Sequence, residues 1–218
     1  MSDYDEAAAV YDGLFTRPVD TWENERLASL LRPQVDGAKV LDLGCGTGWL
    51  LDHCEPGDYT GVDCSGPMLA ELERKHPRAS TVKASIGEHG WLRSLPGPRA
   101  YEIVTATWSL EYLGDLSRLL TECCWLVARP GVIALHGSLP RGHRRPHFSV
   151  KSAPYVPLGP HQVRHATRRL DGLADPLVTG TSMLPDRMAG LGKEAWLAAL
   201  TFPAGMHYSA LWRWWVHD

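Results

Sequence analysis

The sequence predicts an α/β fold built on a doubly wound, mostly parallel sheet. Three observations carry that expectation. Val40, Leu41 and Leu43 form an apolar run, as suits a strand buried on both faces. Glycines follow at positions 44, 46 and 48, and Trp49, Leu50 and Leu51 then open a second apolar run that reads as the first turns of a helix. Beyond them, short apolar strands alternate with helical patterns, the order that builds a parallel sheet. A strand entering a helix through a glycine turn brings bare backbone close to a ligand and aims N–H groups at it.

The bulk numbers narrow the class. At 218 residues, 44% hydrophobic and 22% charged, the chain suits one domain with a substantial core. A net charge of −3 provides no global field for nucleic acid or an anionic membrane. No apolar run approaches the roughly 20 residues that span a bilayer. The start, MSDYDEAAAVYD, is acidic and lacks a basic-then-apolar leader, so a cytoplasmic protein is expected. Five cysteines, at 45, 54, 64, 123 and 124, form no C-x-x-C pair. They read as reduced small hydrophobes, and no metal site is expected.

Taken in order, residues 2–31 read as two short helices, the second spanning Trp22 to Leu31 and ended by Pro33. Tyr4 and Tyr11 fall two helical turns apart and can share a face. The glycine-turn helix runs to about Cys54. Tyr59 to Val62 is the second strand, closed by Asp63 roughly twenty residues beyond the turn, where a carboxylate can accept from ribose hydroxyls. Ser65 caps the next helix, with Pro67 in its first turn. Ser80 to Ala84 and Tyr101 to Ala106 are the third and fourth strands. Asp115 to Leu126 has Leu116, Leu119, Leu120, Cys123 and Leu126 at helical spacing. Arg129-Pro130-Gly131 makes a turn into a fifth strand, Val132 to His136. A helix over Gln162 to Leu170, a strand over Leu177 to Met183, a helix over Glu194 to Leu200 and a strand over His207 to Val216 complete the reading. Trp212, Trp214 and Trp215 in that last strand are expected in the core.

The stretch D-L-G-C-G-T-G, residues 42–48, has the spacing G-x-G-x-G rather than the dinucleotide G-x-G-x-x-G. With Asp63 and the D-x-S-x-x-M-L run at 63–69, it resembles the class I S-adenosylmethionine-dependent methyltransferases of small-molecule type. The resemblance covers roughly Tyr4 to Gly137 and implies a Rossmann-like, seven-stranded sheet with an antiparallel last strand. It also implies an N-terminal helical lid over residues 1–35 and a substrate cap over 139–170 of a single domain, 1–218. The Y-D…Y-D start is similar to the lid of that family, in which an aromatic ring such as Tyr11 covers the cofactor near its methyl group.

The implied cofactor is S-adenosyl-L-methionine, with S-adenosyl-L-homocysteine as its product. The implied cofactor contacts are Asp42, Gly44, Cys45, Gly46, Gly48, Asp63, Cys64, Met68, Ser85, Ile86, Thr107 and Trp108. Ser85 stands where the family usually has Asp, Glu102 replaces the usual Asp in the fourth strand, and the second glycine after Pro130 is missing. Candidate bases are Glu111 and His136, with the loop histidines His143 and His147 behind them, and Tyr11 joins the catalytic set. From Arg129 to Arg169 basic residues accumulate without an acidic one. Arg144 and Arg145, with Tyr112, are the candidate substrate contacts for an anionic or aromatic metabolite.

The expected activity is methyl transfer to a small organic molecule by in-line displacement, in a monomer or a homodimer without nucleic-acid or membrane partners. Two alternatives stand beside it: RNA or protein as methyl acceptor, and a protein that binds the cofactor to steer another reaction such as a cyclisation. An NAD-dependent dehydrogenase ranks last, because Trp49 and Leu50 occupy the place of the final fingerprint glycines.

Overall fold

The computed structural model describes residues 3–16, 18–109, 115–138, 165–167, 170, 177–180 and 209–217. The elements are α1 (Asp3–Ala7), a 3-10 helix over Ala8–Leu14, α2 (Pro18–Val35), β1 (Lys39–Leu43), α3 (Trp49–His53), β2 (Asp58–Asp63), α4 (Gly66–Lys75), β3 (Ser80–Lys83), a 3-10 turn over Trp91–Ser94, β4 (Tyr101–Ala106), α5 (Leu116–Leu126), β5 (Val127–Ser138), β6 (Leu177–Gly180) and β7 (Ser209–Val216). They form one sheet of order β3-β2-β1-β4-β5-β7-β6. Pairing from β3 to β5 is parallel, and β7 runs antiparallel to both of its neighbours. The order reverses between β1 and β4, the switch point at which open α/β sheets bind ligands outside the strand carboxyl ends.

The strands sort by position as their composition dictates. β1 and β4, at the centre, bury almost every residue, whereas β3, at the edge, exposes both of its ends. Side chains alternate between two apolar clusters, one on each face. Leu41, Leu43, Val104, Ile133 and Leu135 meet Leu119, Leu120 and Cys123 of α5, with Trp212 and Trp214 from β7. Val40, Ile103 and Ala134 face the other way and meet Leu27, Leu31 and Val35 of α2, Leu50 of α3 and Leu69 and Leu72 of α4. Trp215 lies on the half-buried side, under Arg213 at 5.9 Å.

Three boundaries differ from the sequence reading. The first long helix starts at Pro18, whose missing N–H costs nothing in a first turn, and runs on through Pro33 to Val35. Pro33 fails to stop it because only the last turn lies beyond, and Val35 is buried in the core there. That helix is therefore a packed layer, and described residues 3–16 precede it within the span predicted as a lid. The turn predicted at Arg129-Pro130-Gly131 is a bulge inside β5. Tyr101 pairs with Val127 and Ile103 already with Val132, so the intervening residues loop out, where Pro130 owes the ladder no N–H.

The cap predicted over 139–170 lies outside the described residues, except His165, Ala166 and Thr167, which are helical, and Leu170. The helix over Glu194 to Leu200 is also outside them. No helix among the described residues is long and apolar enough to cross a membrane.

Gly131 shows how tightly the bulge is closed. A Cβ there would stand 2.5 Å from the Ala128 carbonyl oxygen and 2.9 Å from that of Glu102. Both are backbone atoms that cannot swing aside. Gly131→Ala is expected to lower unfolding free energy by about 1–3 kcal/mol, measured by urea denaturation.

Candidate active site

The glycine turn leaves β1 at the switch point. Gly44, Gly46 and Gly48 have φ of 68°, 52° and 96°, values that side-chain-bearing residues rarely adopt. The Gly44 and Cys45 N–H groups both donate to the Val62 carbonyl, at 2.7 and 3.1 Å. The Gly46 N–H donates to Oδ2 of Asp63 at 2.9 Å, and the Ser65 N–H to its Oδ1 at 2.8 Å. Amide groups expected to face a ligand thus hold the turn against the tip of β2. Asp63 is itself positioned from two sides, yet each of its oxygens retains capacity to accept. Burial pushes its carboxyl up, against the backbone N–H groups of Ser65, Gly46 and Cys64, which pull it down.

Two of the turn's neighbours do work that the sequence reading did not assign. Asp42 is buried and accepts from the Tyr59 hydroxyl at 3.0 Å. Its Oδ1 is buried without a hydrogen bond among the described residues. Burial raises the Asp42 carboxyl to about 7, opposed by the Tyr59 hydroxyl and reinforced by the charge of Asp63. The Cys45 thiol is buried in the core, where a Cβ on Gly61 would meet it at 2.7 Å.

A cleft of about 410 Å³ opens beyond Asp63, lined by Cys64, Lys83, Ala84, Ser85, Glu88, His89, Gly90 and Trp91. Of the residues the sequence reading singled out, Ser85 and Cys64 line this cleft. Ile86 instead packs against the core cluster, and Trp91 takes the apolar wall. The Trp91 indole N–H donates to Glu122 of α5 at 3.0 Å. Lys83, Glu88 and His89 were not singled out from sequence. Lys83 ends the third strand, and the signal for Glu88 and His89 was the loop S-I-G-E-H-G that follows, whose glycines both have φ of 86°. Met68 is buried under the cap of α4, its N–H donating to Ser65 Oγ at 3.3 Å.

On the other side of the switch point, β4 is followed by buried Thr107 and by Trp108, whose φ of 58° is unusual for a bulky residue. Ser109 Oγ donates to the Leu43 carbonyl at 2.8 Å, which ties this bend to the end of β1. The Trp108 ring meets His136 of β5 edge-on at 4.3 Å. His136 is buried, and burial lowers its pKa to about 3. The imidazole is therefore neutral at physiological pH, and as a candidate base it is weak. Glu111, Tyr112, Arg144 and Arg145, like His143 and His147, lie outside the described residues.

The N-terminal segment lies across this end of the sheet. Tyr11 meets Tyr4 at 6.1 Å and Phe15 at 5.3 Å, both edge-on. Asp5 accepts from Ser65 Oγ at 2.6 Å and Asp12 from Thr47 Oγ1 at 2.5 Å, so its carboxylates touch the residues flanking Asp63 and Gly48.

Such a cradle suits an adenosyl compound. A Cβ on Gly46 would meet nothing within 4 Å, so a ligand can approach the backbone there. Asp63 offers acceptors beside the cleft.

Comparison with known proteins agrees with the fold. Residues 40–131 match the methyltransferase domain family. Over 139 residues the chain is 30% identical to a ubiquinone biosynthesis O-methyltransferase of Pectobacterium carotovorum, covering 61% of this chain and 57% of that protein. It is 29% identical over 136 residues to a malonyl-[acyl-carrier protein] O-methyltransferase of Halalkalibacterium halodurans, covering 56% and 49%. The chain thus spans less than two thirds of the length of these relatives. Its fold is similar to that of a Haloferax volcanii methyltransferase solved in complex with a methyltransferase activator, with a TM-score of 0.71 at 18% identity, covering 100% of this chain and 99% of that one.

Asp42 generates a pH prediction. Its folded pKa is raised from 3.8 to about 7, so its protonated form stabilises the fold at low pH, and that contribution is lost as pH rises through about 7. His136 has the opposite slope, losing stability as pH falls below 6.5 towards about 3, but it is common to parent and variant. The stability of Asp42→Asn relative to the parent is expected to rise from pH 4 to pH 7 and level off above, measured by urea denaturation across pH.

Proposed function

We propose, from the match of residues 40–131 to the methyltransferase domain family, that the protein transfers a methyl group from S-adenosyl-L-methionine to a small organic molecule. One observation carries the reading: the Asp63 carboxylate, clamped by the Gly46 and Ser65 N–H groups, stands between the glycine turn and the 410 Å³ cleft. In this reading Asp63 accepts from the ribose hydroxyls. The cleft takes the adenine, with Trp91 on its apolar wall and Ser85 at its polar edge. Gly44, Gly46 and Gly48 give the backbone surface, and Asp42 supplies an acceptor beneath it. Thr107, Trp108 and Tyr11 border the reacting end, and Met68 and Cys64 complete the surroundings.

The bound cofactor supplies a sulfonium methyl group that is already electrophilic. What this chain must do is align the acceptor and exclude water, which can contribute up to roughly 7–11 kcal/mol in the best cases. A base is needed only for an acceptor that is protonated in its ground state, and would contribute about 10²–10⁴-fold. A neutral imidazole of pKa about 3 suits orientation of the acceptor better than removal of its proton, so Glu111 is the stronger proposed base.

Val10, Leu14 and Phe15 expose an apolar ridge beside Tyr11. It supports an acceptor with an apolar or aromatic body. Oxygen as the acceptor atom is supported by relatives named as O-methyltransferases. Arg144, Arg145 and Tyr112 are proposed to meet an anionic group on that acceptor.

Calorimetry with S-adenosyl-L-homocysteine is expected to show binding that Asp63→Ala weakens at least tenfold, since a hydrogen-bonded charge contributes about 1.5–3 kcal/mol. No heat from the parent chain would sink the reading. With a phenolic or carboxylate acceptor and labelled cofactor, Arg144→Glu/Arg145→Glu is expected to raise the KM for the acceptor and leave cofactor affinity unchanged. An unchanged KM would remove those two arginines from the site.

A further inference from the structure

We propose that Asp12 is a positioning residue that latches the N-terminal segment across the adenosyl cradle and so sets how fast the cofactor and its product exchange. The inference rests on the cofactor reading above. Its geometric basis is a chain of polar contacts between parts of the sequence far apart. Asp12 Oδ1 accepts from Thr47 in the glycine turn, and Oδ2 accepts from Lys75 Nζ at 2.8 Å. Lys75, at the end of α4, also donates to Asp52 Oδ2 at 2.6 Å, and Asp52 Oδ1 stands 2.9 Å from His76 Nε2. Asp5 makes the second attachment, on Ser65. The two lid carboxylates therefore hold the two rims of the cradle, one beside Gly48 and one beside Asp63. Beneath the segment Thr47 and Ser65 are 3% and 1% exposed, so a ligand on the glycine turn meets a closed rim.

The pairing is built to come apart. The Lys75 side chain is only 17% exposed, and losing every partner would strand a charge. It has two partners, so when Asp12 leaves, Asp52 retains the ammonium group. Asp12 is 49% exposed and can pass into water at small cost. Thr47 can turn its hydroxyl to another acceptor. Burial pushes the Asp12 carboxyl up, and the hydrogen bonds from Lys75 and Thr47 outweigh it and hold the group below the usual carboxylate range. The latch is therefore charged throughout the physiological range. It is set so that opening breaks few bonds while closing covers the turn.

The test follows dissociation of S-adenosyl-L-homocysteine from the full chain by stopped-flow fluorescence. Asp12→Ala is expected to speed dissociation roughly tenfold, and Lys75→Ala by a smaller factor. The double variant should gain less than the product of the two, because the residues share one contact. Asp58→Asn, in an exposed pair with Lys39 at the opposite end of the strands, should match the parent. Raising ionic strength should speed release from the parent and leave Asp12→Ala unaffected. Hydrogen exchange should show residues 3–14 losing protection in Asp12→Ala while β1 and β4 keep theirs, a readout independent of turnover. Binding by the parent with dissociation insensitive to both Asp12→Ala and salt would overturn the latch alone. Absence of binding by the parent would instead overturn the cofactor reading.

Discussion

One backbone carbonyl anchors the functional end of this protein. Val62 O, at the tip of β2, accepts the N–H groups of Gly44 and Cys45, and the next residue's carboxylate accepts that of Gly46. Three successive amides of the turn are thus bound to the neighbouring strand. A segment with three positive-φ glycines would otherwise sample many conformations. Attached in this way, it is a rigid surface whose shape is set before any ligand arrives, and preorganisation of that kind reduces the entropy lost on binding.

The same attachment explains the acid–base character of the site. Bringing the turn against β2 places Asp42 and Asp63 near one another in a region shielded from water. Both carboxyls are raised by burial. The Tyr59 hydroxyl and the backbone amides offset part of that cost, and the unpaired Asp42 oxygen retains the rest. The fold thus keeps two acceptors at a place where a core made for stability alone would have apolar side chains. On the other side of the switch point, Trp108 has an unusual backbone conformation beside a neutral, buried His136. Polar acceptors thus stand on one side of the switch point and an aromatic floor on the other.

The N-terminal segment reaches this end of the sheet through side-chain contacts. It is attached by carboxylates to hydroxyls and one ammonium group, whereas the sheet layers are attached by buried leucines, valines and tryptophans. Charged, part-exposed contacts form and break more readily than core packing. A cover held in this way is separable from the platform it covers.

Much of this was legible in the amino-acid order. The apolar run at 40–43, the alternate glycines and the acid closing the second strand specify the turn, because few other residues tolerate that backbone and no neighbour is needed to see it. Helix α4 starts at Ser65 as its capping chemistry requires. The limits of that reading are equally specific. Pro33 reads locally as a stop, yet packing of Val35 carries the helix past it. Tyr4 and Tyr11 draw attention as rings, but the aspartates beside them make the long-range bonds. Tyr59 reads as an ordinary strand residue until Asp42 is placed beneath it. Short-range order reports backbone preference and the face a side chain takes; which charged group meets which hydroxyl 35 or 60 residues away depends on how the layers come together, and that is settled only in three dimensions.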